Sequence, residues 1–377
     1  MAADLSADVV VVGAGPAGAA AASMLAPFHR TLLVDRVGSD AAAPTSRIGE
    51  SLPGATWRLL RDLGLWDDFQ RQGHQPCYAR RGVWSGSHPV VTDSLRDADG
   101  HGWRLDRARF DAWLRDWACR RGAALIAPAR ATAVVAADDG WRLTLMRHGR
   151  PLTVSARWLI DAGGRAAPLA RMLGQRRNRA DRLVCRWLSG LSADGDGTLS
   201  VAAEPDGWWY TALLPGARRI LAFHTDADLG AARSTADVGA LMARAKGLRA
   251  VEPLLETFRL DAGTLVGRCA AHGAWIERAA GSCWMAVGDA ALACDPLSAR
   301  GLFNALYTAL LGAGAVREAL AVGGTDALRD YQNAVDRMRE AYRDGLRTWY
   351  GLETRWTDRP FWSRRKLENG KRGQDHP

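Results

Sequence analysis

V-V-V-V-G-A-G-P-A-G, Val9 to Gly18, is the stretch on which the fold turns. Four consecutive β-branched residues with no polar alternation predict a strand buried on both faces, as in the middle of a parallel sheet. Gly13, Gly15 and Gly18 then allow a tight turn, a close approach of phosphate to the backbone, and packing of the next helix on the strand. That helix is expected from Pro16, alanine-rich through Ala22, with free N–H groups and a positive dipole end facing the turn. A second strand, Thr31 to Val34, ends in Asp35, at the spacing of a carboxylate that takes a ribose hydroxyl. A glycine loop alone is a weak signal. A distant partner makes it specific: V-G-D-A-A-L-A-C-D-P-L-S-A-R-G-L, Val287 to Leu302, reads as strand, tight Gly288-Asp289 turn, loop and helix start.

Composition narrows the class. A chain of 377 residues is long for one domain, so two or three closely joined units are expected. No apolar run is expected to span a bilayer, and no basic stretch precedes the first apolar segment, which argues against a membrane protein and a signal peptide. The 6 cysteines are scattered, without C-x-x-C or metal spacing, which fits structural thiols in a reducing cytoplasm and no metal site. Net charge is +9, yet of the 50 basic residues only Lys246, Lys366 and Lys371 are lysines. That arginine bias comes without a basic-aromatic motif, so no nucleic-acid partner is expected. The cluster Arg364-Arg365-Lys366 with Lys371-Arg372 reads as a solvated terminus, with an acidic protein partner as the lesser reading.

The pattern along the chain is α/β. Residues 1–75, 103–170 and 272–325 read as one discontinuous nucleotide-binding unit. It includes a helical pattern over Thr56 to Phe69, a helix through Ala118, strands near Ala131 to Ala136 and Trp141 to Met146, and Trp158 to Ile160 running into D-A-G-G-R, Asp161 to Arg165. Residues 76–102 and 171–271 read as a mostly antiparallel sheet forming a substrate domain, with helical pattern at 235–257. Residues 326–377 form a C-terminal helical segment and basic tail. The chain is expected to be helical from 302 to about 350. Alternation on the strand G-W-W-Y-T-A-L-L-P-G, Gly207 to Gly216, lets at most two of Trp208, Trp209 and Tyr210 face a pocket.

Taken together, G-A-G-P-A-G, R-I-G-E-S-L-P at Arg47 to Pro53, D-A-G-G-R and V-G-D-A-A-L-A-C-D-P-L-S-A-R-G resemble the group of FAD-dependent aromatic hydroxylases, flavin-dependent halogenases and geranylgeranyl reductases. Three further segments are similar to the flavoproteins that modify protein tryptophan during maturation of cysteine-tryptophylquinone oxidases: G-H-G-W-R-L-D-R-A-R-F-D, G-W-W-Y-T-A-L-L-P-G and R-W-T-D-R-P-F-W-S-R-R. The resemblance implies a Rossmann-like FAD-binding domain of the glutathione reductase type. It places Gly13, Gly15 and Gly18 on the pyrophosphate, Asp35 on the adenosine ribose, Arg107 on the phosphates and Asp289 on the ribityl chain and pyrophosphate, with Arg36 and Arg47 also cofactor-binding. Pro296, Gly301 and Leu302 would lie against the flavin ring, with Glu50 and Ser51 at its approach and Trp208, Trp209 and Tyr210 on the substrate side.

The implied function is an FAD-dependent monooxygenase that hydroxylates an electron-rich aromatic ring through a flavin C4a-hydroperoxide, with tryptophan in a peptide or protein precursor as substrate. O2 is the co-substrate, and NAD(P)H or a separate flavin reductase supplies electrons. No nucleophile–base triad is legible, and flavin chemistry needs none. Glu50, His224 and Arg300 are the catalytic candidates. His224 would take the proton lost from the ring, against the alternative of a hydrogen-bonded, half-buried histidine. Arg300 would stabilise reduced flavin or a substrate carboxylate, against the equal alternative of pointing to solvent. The halogenases of the group use a lysine in the N-terminal half and a W-x-W-x-I-P motif, and neither is present here, so halogenation is disfavoured. A flavin-dependent double-bond reductase and a flavoprotein that chaperones a precursor are the other readings.

Overall fold

The structure, a computed structural model, describes residues 5–38, 48–193, 197–249 and 251–370, the last four by backbone alone. Leu5–Val12 lies inside a sheet whose parallel part runs, in spatial order, Trp284–Ala286, Arg150–Asp161, Leu5–Val12, Thr31–Val34 and Ala124–Ile126. Val9, Val10 and Val11 are fully buried, as a central strand requires. The chain starts in the middle and adds strands on both sides, so the order reverses at Leu5–Val12 and leaves a crevice beyond the C-terminal strand ends. Three hydrogen bonds lace the loops there: Gly13 N to Val34 O at 2.7 Å, Ala162 N to Val12 O at 2.8 Å, and Val287 N to Asp161 O at 2.9 Å. The two distant sequence motifs are thereby set on one edge, with D-A-G-G-R between them.

The strand expected at Trp158 to Ile160 is the end of a 12-residue strand, Arg150–Asp161, whose first half pairs antiparallel with Gly140–Arg147. The helical pattern over Thr56 to Phe69 is two helices, Thr56–Asp62 and Trp66–Gln70, because Gly64 between them takes φ +70°. Helicity after residue 301 is likewise interrupted. Gly301–Val322 ends on Gly323 at φ +72°, and Asp326–Leu352 follows. Gly301–Val322 also corrects the membrane expectation, since by length and composition it is apolar enough to cross a bilayer. Here it packs against Pro16–Leu25 and Asp326–Leu352. At Gly312 a Cβ would come within 2.8 Å of the Met285 sulfur, so the helix sits tight on the sheet.

A second sheet runs Phe258–Leu260, Leu183–Ser192, Arg218–Asp226, Gly207–Leu214, Leu199–Glu204, Ala79–Val83 and Val90–Asp93, with Gly267–Ala270 also on Leu183–Ser192. All pairs are antiparallel except Leu199–Glu204 with Ala79–Val83. Both faces are covered, which is why Leu183–Ser192 and Gly207–Leu214 show little polar alternation. On one face, Leu188, Trp209, Leu221 and Phe223 pack with Leu241 and Ala245 from the helix Val238–Lys246. On the other, Cys185, Trp187 and Trp208 meet Tyr350, Phe361 and Trp362 from the C-terminal helices.

Those helices are locked by buried polar contacts. Arg365, read from sequence as solvated, is buried with Asp226, Nη2 donating to Oδ1 at 2.9 Å, and Arg364 donates to Asp226 and Asp228. The Trp362 indole N–H donates to Glu204 O at 2.9 Å. Glu353, fully buried, accepts from Ser85 N and pairs with Arg355.

Candidate cofactor and substrate site

One cavity of about 580 Å³ opens between the two sheets. Its walls run from Gly15 and Pro16 past Arg107, Arg165 and Asp289 to Pro296, Ala299, Gly301 and Leu302, then to Cys185, Trp187, Trp208, Tyr210, His224 and Cys269. The glycine loop bounds one end and the face of the second sheet the other.

The nucleotide end is built by backbone geometry. Gly13 has φ +109°, and a Cβ there would strike the Ala162 carbonyl. A Cβ at Gly18 would strike the Gly13 carbonyl, so this glycine seats the helix Pro16–Leu25 on the strand. At Gly15 a Cβ would meet nothing within 4 Å, so that position faces open cavity at a helix N-terminus. Asp35 Oδ2 accepts from Ala14 N at 2.8 Å and Oδ1 from Val37 N at 2.9 Å, which fixes the loop. Asp35 and the exposed Arg36 lie beyond the cavity walls, and Arg47 falls outside the described residues.

Charge is placed along the middle. Arg107 forks onto Asp111, Nε to Oδ1 and Nη2 to Oδ2 at 3.1 Å each, while Nη1 donates to Gly49 O at 2.7 Å. This ties the helix Arg107–Arg120 to the Gly49–Ser51 segment and presents a fixed guanidinium to the cavity. Asp289 sits between two arginines that sequence reading passed over. Arg165 Nε stands 3.5 Å from Asp289 Oδ2, and Arg165 also holds the His272 and Cys294 carbonyls. Arg177 donates to the Asp289 and Ala290 carbonyls at 2.7 and 2.9 Å. Enclosure raises the Asp289 carboxyl above its ordinary range, and Arg165, Arg177 and Arg107 pull it back. The arginine of D-A-G-G-R was visible in the sequence. Its partner Arg177 carried no motif.

The loop after Asp289 leads into the helix Gly301–Val322. Ala299 is held left-handed at φ +51°, an uncommon state for a residue with a side chain. Pro296, Gly301 and Leu302 line the cavity, and at Gly301 a Cβ would meet nothing within 4 Å. Arg300 is exposed, caps the helix in α conformation and is not among the residues lining the cavity, which matches the solvent-facing alternative of the sequence reading.

The second sheet supplies a grid of side chains. Cys269 stands opposite Cys185, Cys185 opposite His224, and His224 opposite Trp208, one row across four strands. The adjoining row of the same face carries Gly267, Trp187, Ala222 and Tyr210. A Cβ at Gly267 would run into the Trp187 indole, which shows that this ring is folded across the edge strand. Trp209, expected as pocket wall, is a correction. It points to the opposite face and donates to Glu204 Oε2 at 2.9 Å.

His224 is not half-buried. It is 1% exposed, stacked on Trp208 with centroids 3.7 Å apart and planes at 4°, and neither ring nitrogen has a hydrogen-bond partner. Burial pushes its pKa down to about 3, so the ring is neutral. Glu50 is also 1% exposed. Its Oε2 accepts from Gly49 N at 2.6 Å while Oε1 has no partner. Ser51 Oγ accepts from Arg104 at 2.9 Å and lies 3.3 Å from the Tyr210 hydroxyl. Behind the row, the Trp208 N–H donates to the Tyr350 hydroxyl at 3.1 Å, which donates to Asp295 Oδ2 at 2.8 Å. Burial raises Asp295 to about 7. This bridge from sheet to loop, with Tyr350 from a helix fifty residues downstream, had no sequence signal. Among the described residues no group of three or more His, Cys, Asp or Glu is placed to hold a metal.

The site fits a dinucleotide with an extended flavin: an open cradle at Gly15, carboxylates and arginines along the middle, and an apolar loop and helix start at Gly301. The comparisons agree. The chain is 28% identical over 376 residues to LodB of Marinomonas mediterranea, named as an FAD-dependent oxidoreductase, covering 95% of this chain and 96% of that protein. It is 31% identical over 338 residues to menaquinone reductase of Mycobacterium tuberculosis, covering 83% and 77%. The solved structure of the peptidyl tryptophan dihydroxylase QhpG superposes with TM-score 0.76 at 28% identity, covering 96% and 79%. The pattern described as FAD binding domain matches residues 6–222. The chain therefore belongs to the FAD-binding-domain family and is an FAD-dependent oxidoreductase.

Proposed function

We propose that the protein is an FAD-dependent monooxygenase that hydroxylates an electron-rich aromatic ring, with tryptophan in a peptide or protein as the substrate, acting in the cytoplasm. The observation that carries this reading is Glu50 Oε1, a buried acceptor with no donor in hydrogen-bond geometry and the Tyr210 hydroxyl as its polar neighbour, in a largely aromatic half of the cavity. A buried oxygen left unpaired costs about 1–3 kcal/mol, so a ligand that donates to it is strongly favoured. Indole has one N–H donor, no acceptor and a flat apolar body. Trp187, Trp208 and Tyr210 supply the matching walls.

Bound and reduced, FAD supplies the electrons that activate O2. The chain's own residues do the rest. Arg107, Arg165 and Asp289 would hold the phosphates and ribityl chain, and the Gly301 helix start would face the ring. His224 lines the same wall as a neutral ring; with its proton affinity lowered by burial it serves as a polar contact for the substrate and not as a strong base. Among the described residues no lysine lines the cavity, which supports the reading against a halogenase. Electrons would come from NAD(P)H directly or from a separate reductase.

The likeness to menaquinone reductase supports a second reading, reduction of a substrate double bond. Oxygen decides between them. Incubation of the reduced holoenzyme with a tryptophan-bearing peptide in air is expected to add about 16 Da per oxygen transferred, from 18O2 and not from water. Turnover of a quinone or isoprenoid under strict anaerobiosis, with the peptide unmodified in air, would overturn the monooxygenase assignment.

A further inference from the structure

The row of the second sheet that faces the cavity begins with two cysteines that neither the flavin site nor the proposed substrate position uses. Cys185 on Leu183–Ser192 stands directly opposite Cys269 on the antiparallel strand Gly267–Ala270. Both line the cavity, and both are thiols. Directly opposed residues on antiparallel strands have Cα atoms about 4.5–5.5 Å apart. That lies within the roughly 4.4–6.8 Å a disulfide needs, so the backbone already has bridging geometry. Among the described residues His224 beside Cys185 completes no metal-binding group with the pair.

The two thiols are unequal. Cys185 is 1% exposed, and burial pushes its proton affinity well up. Cys269 is half-buried, and the neighbouring Cys185 thiol together with the Arg165 cation holds it below the usual thiol range. One is a reachable, more acidic sulfur and the other an enclosed thiol beside it, its S–H on the Arg186 carbonyl at 3.8 Å. This is the division of labour of an attacking and a resolving cysteine.

We propose that Cys185 and Cys269 are a peroxide-responsive dithiol that closes to a cross-strand disulfide in the floor of the substrate cavity. The oxidant is hydrogen peroxide. Cys269 thiolate attacks one peroxide oxygen, the O–O bond breaks, and hydroxide leaves with Cys269 as sulfenic acid. Cys185 sulfur then attacks the Cys269 sulfur, the S–O bond breaks, and water leaves with the Cys185 proton. Two thiols and one peroxide give one disulfide and two waters; sulfur is oxidised by two electrons and peroxide oxygen is reduced by two. On the monooxygenase reading, the local source of peroxide is reduced flavin meeting O2 without an aromatic substrate in place. The thiol chemistry itself needs only peroxide. A thioredoxin-class dithiol would reverse it.

The test uses the full-length holoenzyme as purified, with peroxide added at one to ten equivalents, thiols blocked by alkylation, and peptides mapped by mass. The exposed Cys119 gauges the dose. A Cys185–Cys269 linked peptide is expected before Cys119 is oxidised, with loss of 2 of the 6 thiols and full recovery with dithiothreitol. In Cys185→Ala, dimedone is expected to label Cys269. In Cys269→Ala, Cys185 is expected to remain a thiol. Oxidation of Cys119 with Cys185 and Cys269 both still free, or no linked peptide in the wild-type protein at any dose, would overturn the proposal. So would absence of dimedone labelling at Cys269 in a folded, flavin-bound Cys185→Ala protein. Because peroxide is added directly, a linked peptide appears even if the hydroxylation reading fails, and its absence leaves that reading intact.

Discussion

Glu50 and His224 are two buried polar side chains with unpartnered atoms, and each makes a separate prediction. Glu50→Leu removes the only acceptor assigned to the indole N–H, so KM for a tryptophan peptide is expected to rise about 5- to 150-fold, the equivalent of about 1–3 kcal/mol; steady-state kinetics checks this. His224 has pKa about 3 in the folded protein against 6.5 in its unperturbed state. Below pH 6.5 the unfolded chain takes up this proton first, so stability falls as pH drops toward 3, by up to about 1.4 kcal/mol per pH unit. His74 and His272, both lowered to about 4, act with the same sign, while Asp161 at about 6 and Asp295 at about 7 act with the opposite one. All four persist in His224→Phe. That variant should lose less melting temperature than wild type between pH 7 and pH 4.5, and an equal loss would count against a buried neutral histidine. At this scale the sequence was half legible. Period-2 alternation required Trp208 and Tyr210 to share a face without Trp209, but which face held the cavity was hidden, because Gly207–Leu214 is buried on both sides. Arg300 stayed open between flavin and solvent because a residue's place in a motif does not give the direction of its side chain, and the Asp289 partner Arg165 stood unassigned inside D-A-G-G-R.

Among elements, the glycine loop and the Val287–Leu302 segment were legible because their function is carried by backbone turns, which glycine, proline and aspartate announce locally. Asp289→Ala should weaken flavin retention about 5- to 30-fold, since it removes a cavity-facing acceptor and leaves Arg165 without its carboxylate. Flavin absorbance per protein after gel filtration measures this, and normally coloured protein would refute the assignment. The C-terminal helices were legible as helices but not as walls. Nothing local in R-W-T-D-R-P-F-W-S-R-R says that Arg365 finds Asp226 or that Trp362 fills the space behind Trp208. Trp362 is 1% exposed and hydrogen-bonded, so Trp362→Ala should cost about 3–5 kcal/mol in a denaturant titration.

For the molecule as a whole, the cavity joins two sheets that are otherwise separate bodies of core, so filling it should stabilise both. At free FAD a hundred times its Kd, the holoenzyme is expected to exceed the apoprotein by about 2.7 kcal/mol, readable as a rise in melting temperature. The hydrogen-bond bridge from Trp208 through Tyr350 to Asp295 has a consequence for biosynthesis. On the proposed placement the first cofactor contacts are translated with Gly13 and Gly15, but the Asp295 loop is braced by Tyr350, made more than three hundred residues later, and Trp362, packed against Tyr350, comes later still. A ribosome-bound chain carries the pyrophosphate cradle long before it has the means to close the site. Flavin loading is thus expected late, and a chain cut short before Tyr350 is expected to keep the glycine loop and lose bound flavin, which absorbance of the truncated protein checks.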